Sequence, residues 1–459
     1  MATELTLEMA QSALAANPQV EEIDLLACDM NGILRGKRVP ANSLDKAFSE
    51  GMKFPRSILC MDIWGKDVLA NGLVWESGDA DGICKPCGPG LLPMPWSDRP
   101  RMQMLTTMSE IGGAPFGGDP RQVLKRVVER FAQLGLTPMV ASELEFYLMA
   151  GDSAGTGVPR PPSAPKSGYD IDSPRVYSME ELDEFNDVLT DIRDACAAQG
   201  VPTDTIIVEF GPGQFEVNLN HVADPLLAAD HAILLRRTVR AVARKHGLHA
   251  TFMAKPYGDV AGSGFHLHAS LLDRDGNNVF NNGTEEGSEL LRQAVAGMIA
   301  LMRDSMLIFA PNLNSYRRFQ PGCHAPVTAS WGYENRTAAL RIPTSSNKAR
   351  RFEHRLAGAD ANPYLVIATI LAGALYGLEN KLVPPAAVSG DAYSGEIPDE
   401  AKLPTDWSGA IAAFGGSEIL KDILGPVFHR AFLTCKAQEC EELGRKITDV
   451  EYATYLGSI

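Results

Sequence analysis

The stretch Ser142-Glu143-Leu144-Glu145-Phe146-Tyr147 decides the fold of this chain, because charged and apolar residues alternate along it. Alternate side chains of a β-strand point to one face of the sheet. The two glutamates and the tyrosine would therefore share a face, with the leucine and phenylalanine packed behind. A sheet face that carries carboxylates is costly to bury unless ions or substrates neutralise it. The stretch predicts a strand that presents a charged site.

Similar patterns recur further along the chain. Two later stretches alternate in the same way, and a third places carboxylates on both sides of a Gly-Pro-Gly turn at 211–213. The side chains that these stretches would add to the site are His266, His268 and Ser270, then Arg351, Glu353 and Arg355, and finally Glu209 and Glu216.

Six of these side chains are candidate metal ligands: Glu143, Glu145, Glu209, Glu216, His266 and Glu353. Five carboxylates and one imidazole suit Mg²⁺ or Mn²⁺ better than copper or structural zinc. More than three carboxylates indicate two or more ions, and paired ions are typical of phosphoryl transfer.

A basic cluster follows in the sequence. Arginine pairs bidentately with carboxylate and phosphate oxygens and stays charged when it is desolvated. For Arg317 and Arg350 a surface ion-pair face is the favoured interpretation, whereas Arg351 and Arg355 flank Glu353 and are better candidates for function. The whole pattern predicts a site for ATP, metal ions and an acidic co-substrate. The cluster consists of Arg317, Arg318, Arg336, Arg341, Lys348, Arg350, Arg351 and Arg355.

Composition narrows the class of protein. The chain has 459 residues and a formal net charge of −15, which argues against a nucleic-acid or anionic-membrane surface. The apolar stretch 365–378 is too short to span a bilayer. The N-terminus lacks the features of a signal peptide, and eight scattered cysteines are typical of reduced thiols, so we expect a cytoplasmic protein. Cys84 and Cys87 have redox or zinc spacing without a second ligand pair, which favours chance occurrence in a loop.

Secondary structure can be predicted in outline. Strands are expected at 22–28 and 33–39, joined as a hairpin around Asn31-Gly32, with Asp29 presented outward by the connecting loop. Further strands are expected at 137–148, 251–255 and 264–272. Helices are expected at 120–134, 179–198, 225–246, 288–309 and from 363 onward. Loops are expected at 150–175 and 386–407.

Seven ordered motifs resemble those of the glutamine synthetase family along nearly the whole chain. The motifs lie at 142–146, 211–216, 255–259, 262–268, 314–318, 335–343 and 348–355. The resemblance implies an α+β fold, with a β-grasp domain at 1–115 and a catalytic α/β domain with a curved, antiparallel-rich sheet at 116–459. It also implies a homo-oligomeric ring, a dodecamer of two stacked hexamers, with active sites between subunits.

The resemblance also implies a role for each matching residue. Glu145, Glu209 and Glu216 would hold one metal ion, and Glu143, His266 and Glu353 the other. Gly262, Arg318 and Arg355 would bind glutamate; His268, Ser270, Arg341, Lys348 and Arg351 would bind ATP; and Arg336 would act on the phosphates. Asp29 would reach into a neighbouring subunit and, with Glu209, take the proton of the amine. Tyr177, with Tyr169 as the alternative, and His324 would complete the amine site.

The chain departs from the ammonia-using enzymes at the flap. His324 stands where those enzymes carry a glutamate that closes over ammonium, and a lost charge-assisted contact would cost about tenfold or more in ammonium affinity. A water-facing His324 is the plainer alternative. Ala261 replaces an asparagine that the family often has for binding glutamate, and 29–37 and 330–333 resemble the γ-glutamylpolyamine synthetase branch.

These features predict an ATP-dependent ligase that joins the γ-carboxyl of L-glutamate to an organic primary amine through γ-glutamyl phosphate. One alternative is a glutamine synthetase that uses ammonia. The other is a catalytically silent member that forms a structural ring, which would be expected to have lost metal ligands.

Overall fold

The computed structural model describes residues 5–173, 175–320, 325–393 and 399–459. In these residues a first sheet has five strands. They are β1 (Glu22–Cys28), β2 (Leu34–Pro40), β3 (Met52–Pro55), β4 (Asp81–Pro93) and β5 (Arg101–Glu110). Their order is β2-β1-β5-β4-β3, and β1 pairs with β5 in parallel.

The predicted hairpin is confirmed. β1 and β2 pair antiparallel from Glu22 opposite Pro40 to Cys28 opposite Leu34. Gly32 has φ of 74° in the turn between them, a backbone conformation that favours glycine.

A second sheet supplies most of the residues singled out above, and its strands in the described residues are eight. They are β6 (Thr137–Ala150), β7 (Thr203–Val208), β8 (Gln214–Leu219), β9 (Leu248–Thr251), β10 (Phe265–Leu272), β11 (Trp331–Tyr333), β12 (Leu340–Ile342) and β13 (Phe352–His354). The order is β11-β12-β13-β10-β6-β8-β7, with β9 also on β6. Every pairing is antiparallel except β11 with β12, which confirms the antiparallel-rich sheet of an α+β fold.

The helices of the described chain surround the sheets. They are α1 (Leu7–Ala15), α2 (Leu44–Ser49), α3 (Pro120–Gln133), α4 (Ser153–Thr156), α5 (Met179–Glu184), α6 (Asn186–Ala198), α7 (Pro225–Lys245), α8 (Glu289–Phe309), α9 (Pro363–Glu379), α10 (Trp407–Gly415), α11 (Glu418–Leu424), α12 (Pro426–Gly444) and α13 (Asp449–Tyr455). No helix in the described ranges is both long enough and apolar enough to cross a membrane.

Helix starts follow the sequence signals closely. Asp119, Asp224 and Asn362 each accept a backbone N–H bond in the first turn of a helix whose first residue is proline, and Ser288 caps α8 in the same way. A side-chain acceptor at this position satisfies an N–H group that the helix leaves unpaired.

Two of the predicted elements are wrong. The strand expected at 251–255 lies earlier, at Leu248–Thr251, because α7 ends at Lys245, Gly247 turns the chain with φ of 68°, and the next residues pair directly with β6. The single helix expected at 179–198 is two helices, since Phe185 leaves the helical conformation. Its ring packs against that of Phe215, with 5.1 Å between the ring centroids. Tertiary packing outweighs helix periodicity here.

A buried ion pair in helix α12 contacts two loops that join strands of the first sheet. Lys436 and Glu439 are each 1% exposed at the side chain and lie 2.8 Å apart. The Lys436 Nζ also donates to the Asn31 side chain in the β1–β2 turn, and Glu439 accepts from the Ile63 backbone N–H at 2.8 Å. Removing one charge would leave the other desolvated and unpaired.

We predict that Lys436→Ala lowers the free energy of unfolding by roughly 3–5 kcal/mol, the usual cost of breaking a buried pair. Lys421, which pairs with Glu418 at 2.9 Å with the same i,i+3 spacing but in solvent, is the matched control. Lys421→Ala should change that free energy by less than about 1 kcal/mol. Urea denaturation followed by circular dichroism measures both, and equal losses in the two variants would contradict the assignment.

Candidate active site

The register of the second sheet places the charged residues on facing positions. Directly opposite residues of an antiparallel pair have their Cβ atoms about 4.5–5.5 Å apart on the same face. The facing pairs are Glu143 with His266, Glu145 with Glu216, and His268 with Glu353. Strands distant in sequence thus bring predicted residues onto one face.

Glu143 lies at the centre of this face. Its carboxylate contacts His266 Nδ1 at 3.3 Å and His268 Nε2 at 2.8 Å. Burial raises the pKa of Glu143, but the hydrogen bonds to the two histidines outweigh burial and hold the pKa well below its usual range. Glu143 is therefore an anion.

Three other glutamates crowd the neighbouring positions. Glu145 accepts bonds from Gln214 Nε2 at 3.0 Å and from the Gly264 backbone N–H at 2.8 Å. Burial, and then the nearby carboxylates, raise the pKa of Glu209 to about 8 and that of Glu216 to about 10. Glu209 and Glu216 hold protons at neutral pH unless a bound cation displaces those protons.

Arginines neutralise the opposite side of the face. Glu353 accepts a bond from Arg341 Nη1 at 2.9 Å and a second from Arg355 Nη1. Burial raises the pKa of Glu353, but the charges of Arg355, His268 and His266 together outweigh burial and lower the pKa to about 2. Arg351 Nε donates to His268 Nδ1 at 3.1 Å, so His268 Nε2 carries the hydrogen that faces Glu143.

Two groups of side chains in the described residues could each hold a cation. The ligand atoms within each group lie within 4.8 Å of one another, and the groups are Glu143, His268 and Glu353, and Glu143, Glu216 and His266. Carboxylate oxygens and imidazole nitrogens suit Mg²⁺ or Mn²⁺.

The geometry regroups the predicted ligands. Glu143 belongs to both groups, whereas Glu145 and Glu209 fall outside them. His268 was expected beside the nucleotide and not among the ligands, although its alternation with His266 on β10 was a visible signal.

Arg318 and two glycines form one wall beside the glutamates. Arg318 is buried and donates to the Leu356 carbonyl at 3.1 Å. A Cβ on Gly262 would lie 2.5 Å from Arg318 Cγ. A Cβ on Gly264 would lie 3.1 Å from Glu145 Oε1 and 3.0 Å from His266 Nε2. Only glycine fits these two positions without displacing the wall.

Other predicted residues lie farther out. Ser270 is on β10, two residues beyond His268, and Arg336 and Lys348 are exposed outside the strands.

Tyr177 is 63% exposed with φ of 59°, and its backbone N–H bonds to the Val208 carbonyl, one residue before Glu209. Tyr169 lies under Arg175, whose Nη1 donates to the tyrosine hydroxyl at 2.9 Å.

The predicted outward orientation of Asp29 is wrong. Its side chain has no exposed area and accepts bonds from the backbone N–H groups of Asn31 and Ile33 and from Arg35 Nε, each at 2.9 Å. An aspartate in this position stabilises the turn of a hairpin, which accounts for its burial, and the catalytic role expected of Asp29 stays a prediction. His324 lies outside the described residues.

The Cys84–Cys87 pair lies in strand β4 and not in a loop as expected. Burial raises the pKa of each thiol to about 12. A buried thiol with a raised pKa is a poor nucleophile and metal ligand. Both cysteines therefore serve as buried packing residues of the first sheet.

Residues 117–455 match the family described as the glutamine synthetase catalytic domain. The chain belongs to the glutamine synthetase family. It is 44% identical to the gamma-glutamylputrescine synthetase of Escherichia coli (strain K12), over 95% of this chain and 91% of that protein. It is 35% identical to a glutamate–isopropylamine ligase of a Pseudomonas species, over 96% of each chain. A solved GmaS/ADP complex matches with a TM-score of 0.84 and 28% identity, covering 98% of this chain and all of that one.

Membership of the family implies the use of ATP and a divalent metal, and the acidic face is a chemically suitable place for the metal. A cation there would bind Glu216, whose carboxyl group holds a proton in its absence, beside the ionised Glu143.

We predict that metal binding releases protons at pH 7. The pKa of Glu216 is raised to about 10, so this group is protonated at pH 7 and must ionise to bind a cation. A cation on the face would also favour the ionised form of the neighbouring Glu209, whose pKa is raised to about 8. Proton release should fall as the pH rises toward 10, and metal affinity should increase over the same range. Calorimetric titration with Mn²⁺ in buffers of different ionisation enthalpy measures both quantities.

The control is Glu216→Gln, which should release fewer protons at pH 7 than the wild type. Binding without proton release at pH 7, or affinity that falls with rising pH, would contradict this account of the face.

Proposed function

We propose that this protein is an ATP-dependent glutamate–amine ligase, which forms a γ-glutamyl amide from L-glutamate and an organic primary amine. The observation that carries the proposal is the single sheet face where Glu143, two histidines and an arginine-paired Glu353 meet. The named activities of the two relatives, on putrescine and on isopropylamine, support an organic amine.

The acidic face would hold two Mg²⁺ or Mn²⁺ ions. The ions would screen the phosphate charges of ATP and of the acyl phosphate. The proposed ligands are Glu143, Glu216, His266, His268 and Glu353, with Glu145 and Glu209 beside them.

The nucleotide would lie along the arginine side of the face. We assign phosphate contacts to Arg336, Arg341 and Arg351, and place His268, Ser270 and Lys348 close to the nucleotide. Arg318, Arg355 and Gly262 would orient glutamate. Arginine suits both tasks because its planar fork pairs with two oxygens at once.

The reaction would proceed in two steps. A γ-carboxylate oxygen of glutamate attacks the γ-phosphorus of ATP, ADP leaves, and γ-glutamyl phosphate forms. The amine nitrogen then attacks the γ-carbonyl carbon, the carbon–nitrogen bond forms, and inorganic phosphate leaves with the electrons of the broken C–O bond. Glu209 and Asp29 are the proposed acceptors of the amine proton, and we favour Glu209 because its carboxylate borders the site whereas Asp29 pairs with Arg35.

We also propose the quaternary and domain organisation that the family suggests. The first sheet would belong to a β-grasp domain at 1–115 and the second to a catalytic domain at 116–459. Subunits would assemble into a ring, two stacked hexamers, with active sites between neighbours. A cytoplasmic location stays a prediction.

The decisive assay compares amines. Phosphate release is measured with ATP, glutamate and Mg²⁺ or Mn²⁺, in parallel with ammonium, putrescine and aliphatic monoamines. We expect kcat/KM for the best organic amine to exceed that for ammonium by at least about tenfold, equivalent to about 1.4 kcal/mol. A preference for ammonium would support a glutamine synthetase, and no turnover with any amine would support a silent ring-forming protein.

A variant tests the proposed face directly. Glu143→Gln should lower kcat by at least about 100-fold and weaken Mn²⁺ binding, because it removes the carboxylate common to both cation groups. Glu110→Gln, on a half-exposed glutamate that pairs with Arg56 at 3.1 Å, is the control and should keep wild-type activity. Equal activity in the two variants would argue against metal chemistry at this face.

A further inference from the structure

The turn between β7 and β8 carries an aromatic residue directly after Glu209, one of the glutamates of the acidic face. Phe210 directly follows Glu209, and its backbone N–H bonds to the Glu209 carboxylate. The turn closes through Glu209 N–H to the Gln214 carbonyl at 2.9 Å and Gln214 N–H to the Gly211 carbonyl at 3.0 Å. Phe210 is therefore held beside the proposed proton acceptor.

This turn lies over the same face of the sheet as the glutamates. Tyr147 shares the face of Glu143 and Glu145 on β6, and a Cβ on Gly211 would lie 1.9 Å from its hydroxyl oxygen. The Tyr147 hydroxyl donates to the Ala261 carbonyl, in the loop that also carries Gly262. Phe210 thus lies between Glu209 and a residue that contacts the site face.

Phe210 stays partly exposed although the chain has a large core. It is 42% exposed, whereas Phe146 and Phe215, on the adjoining strands, have no exposed area. An exposed aromatic ring costs free energy in water that an apolar ligand would recover.

A second exposed aromatic residue lies at the same end of β7. Tyr177 bonds through its backbone N–H to the Val208 carbonyl at 3.0 Å, two residues before Phe210. It is 63% exposed and has φ of 59°, a conformation uncommon for a residue with a side chain. Two exposed aromatic residues therefore adjoin the segment that carries Glu209: Phe210 follows it in sequence, and the Tyr177 backbone bonds to Val208, which precedes it.

We propose that Phe210, together with Tyr177, forms an apolar subsite for the hydrocarbon chain of the amine, and that Phe210 determines selectivity for chain length. This inference rests on the proposed ligase function. The reacting nitrogen lies at Glu209, and the methylene groups pack against the rings. Ammonium, which has no hydrocarbon, gains nothing from this subsite.

The experiment measures kcat/KM for ammonium, methylamine, ethylamine, propylamine and butylamine, and for putrescine, with saturating ATP and glutamate. Each methylene buried against the rings should raise kcat/KM by roughly fourfold in the wild type until the subsite is filled. In Phe210→Ala the gain per methylene should fall below about twofold, while kcat/KM for ammonium and KM for glutamate and ATP stay within about twofold of wild type.

Phe210→Leu keeps an apolar side chain and should retain most of the chain-length dependence, which guards against a folding defect in the alanine variant. Leu134→Ala, on a residue 46% exposed at the end of α3, is the control and should match the wild type. Putrescine shows whether a distal ammonium group is accepted at the end of the chain.

The outcomes separate the inference from the function on which it rests. Wild-type activity with ammonium alone would overturn the proposed function. Wild-type preference for longer amines that persists unchanged in Phe210→Ala would overturn the subsite alone. So would an equal loss in Phe210→Ala for ammonium and for every alkylamine.

Discussion

Electrostatic repulsion among buried carboxylates is the constraint on which the rest of this structure depends. Glu143, Glu145, Glu209 and Glu216 lie close enough to perturb one another, and two of them are driven to bind protons. A fold gains no stability from such an arrangement. It is explained when cations occupy the face, because the same burial that penalises lone carboxylates strengthens their attraction to a metal ion.

The negative charges of this face are neutralised differently on its two sides. On one side, Arg341 and Arg355 keep Glu353 ionised, and the histidines keep Glu143 ionised. On the other side, burial and the neighbouring carboxylates outweigh the charge of Arg355 at Glu209 and Glu216, and these two groups are neutralised by protons. The unequal compensation gives a direction to the site: phosphates would meet the arginines, and the amine would meet the glutamates and the exposed rings of Phe210 and Tyr177.

Many of the strands and helices could be predicted from the sequence because their signals are local. Period-two alternation identified β6 and β10, and side-chain caps before proline identified α3, α7 and α9. Facing pairs such as Glu145 with Glu216 depend on strand register, which no local pattern determines. The contact of His268 with Glu143 depends on register in the same way, so the sequence did not show it. The outward orientation expected of Asp29 was wrong because its burial depends on Arg35 and on the turn that it stabilises, and a sequence does not show which polar residues are inside.

The most direct test of the central claim is a crystal structure of the protein with Mn²⁺ and ADP, with anomalous scattering used to locate manganese. We predict anomalous peaks on the face formed by β6, β8, β10 and β13, one within coordination distance of Glu143, Glu216 and His266. A well-ordered crystal with ADP bound and manganese elsewhere, or with no manganese on this face, would contradict the account.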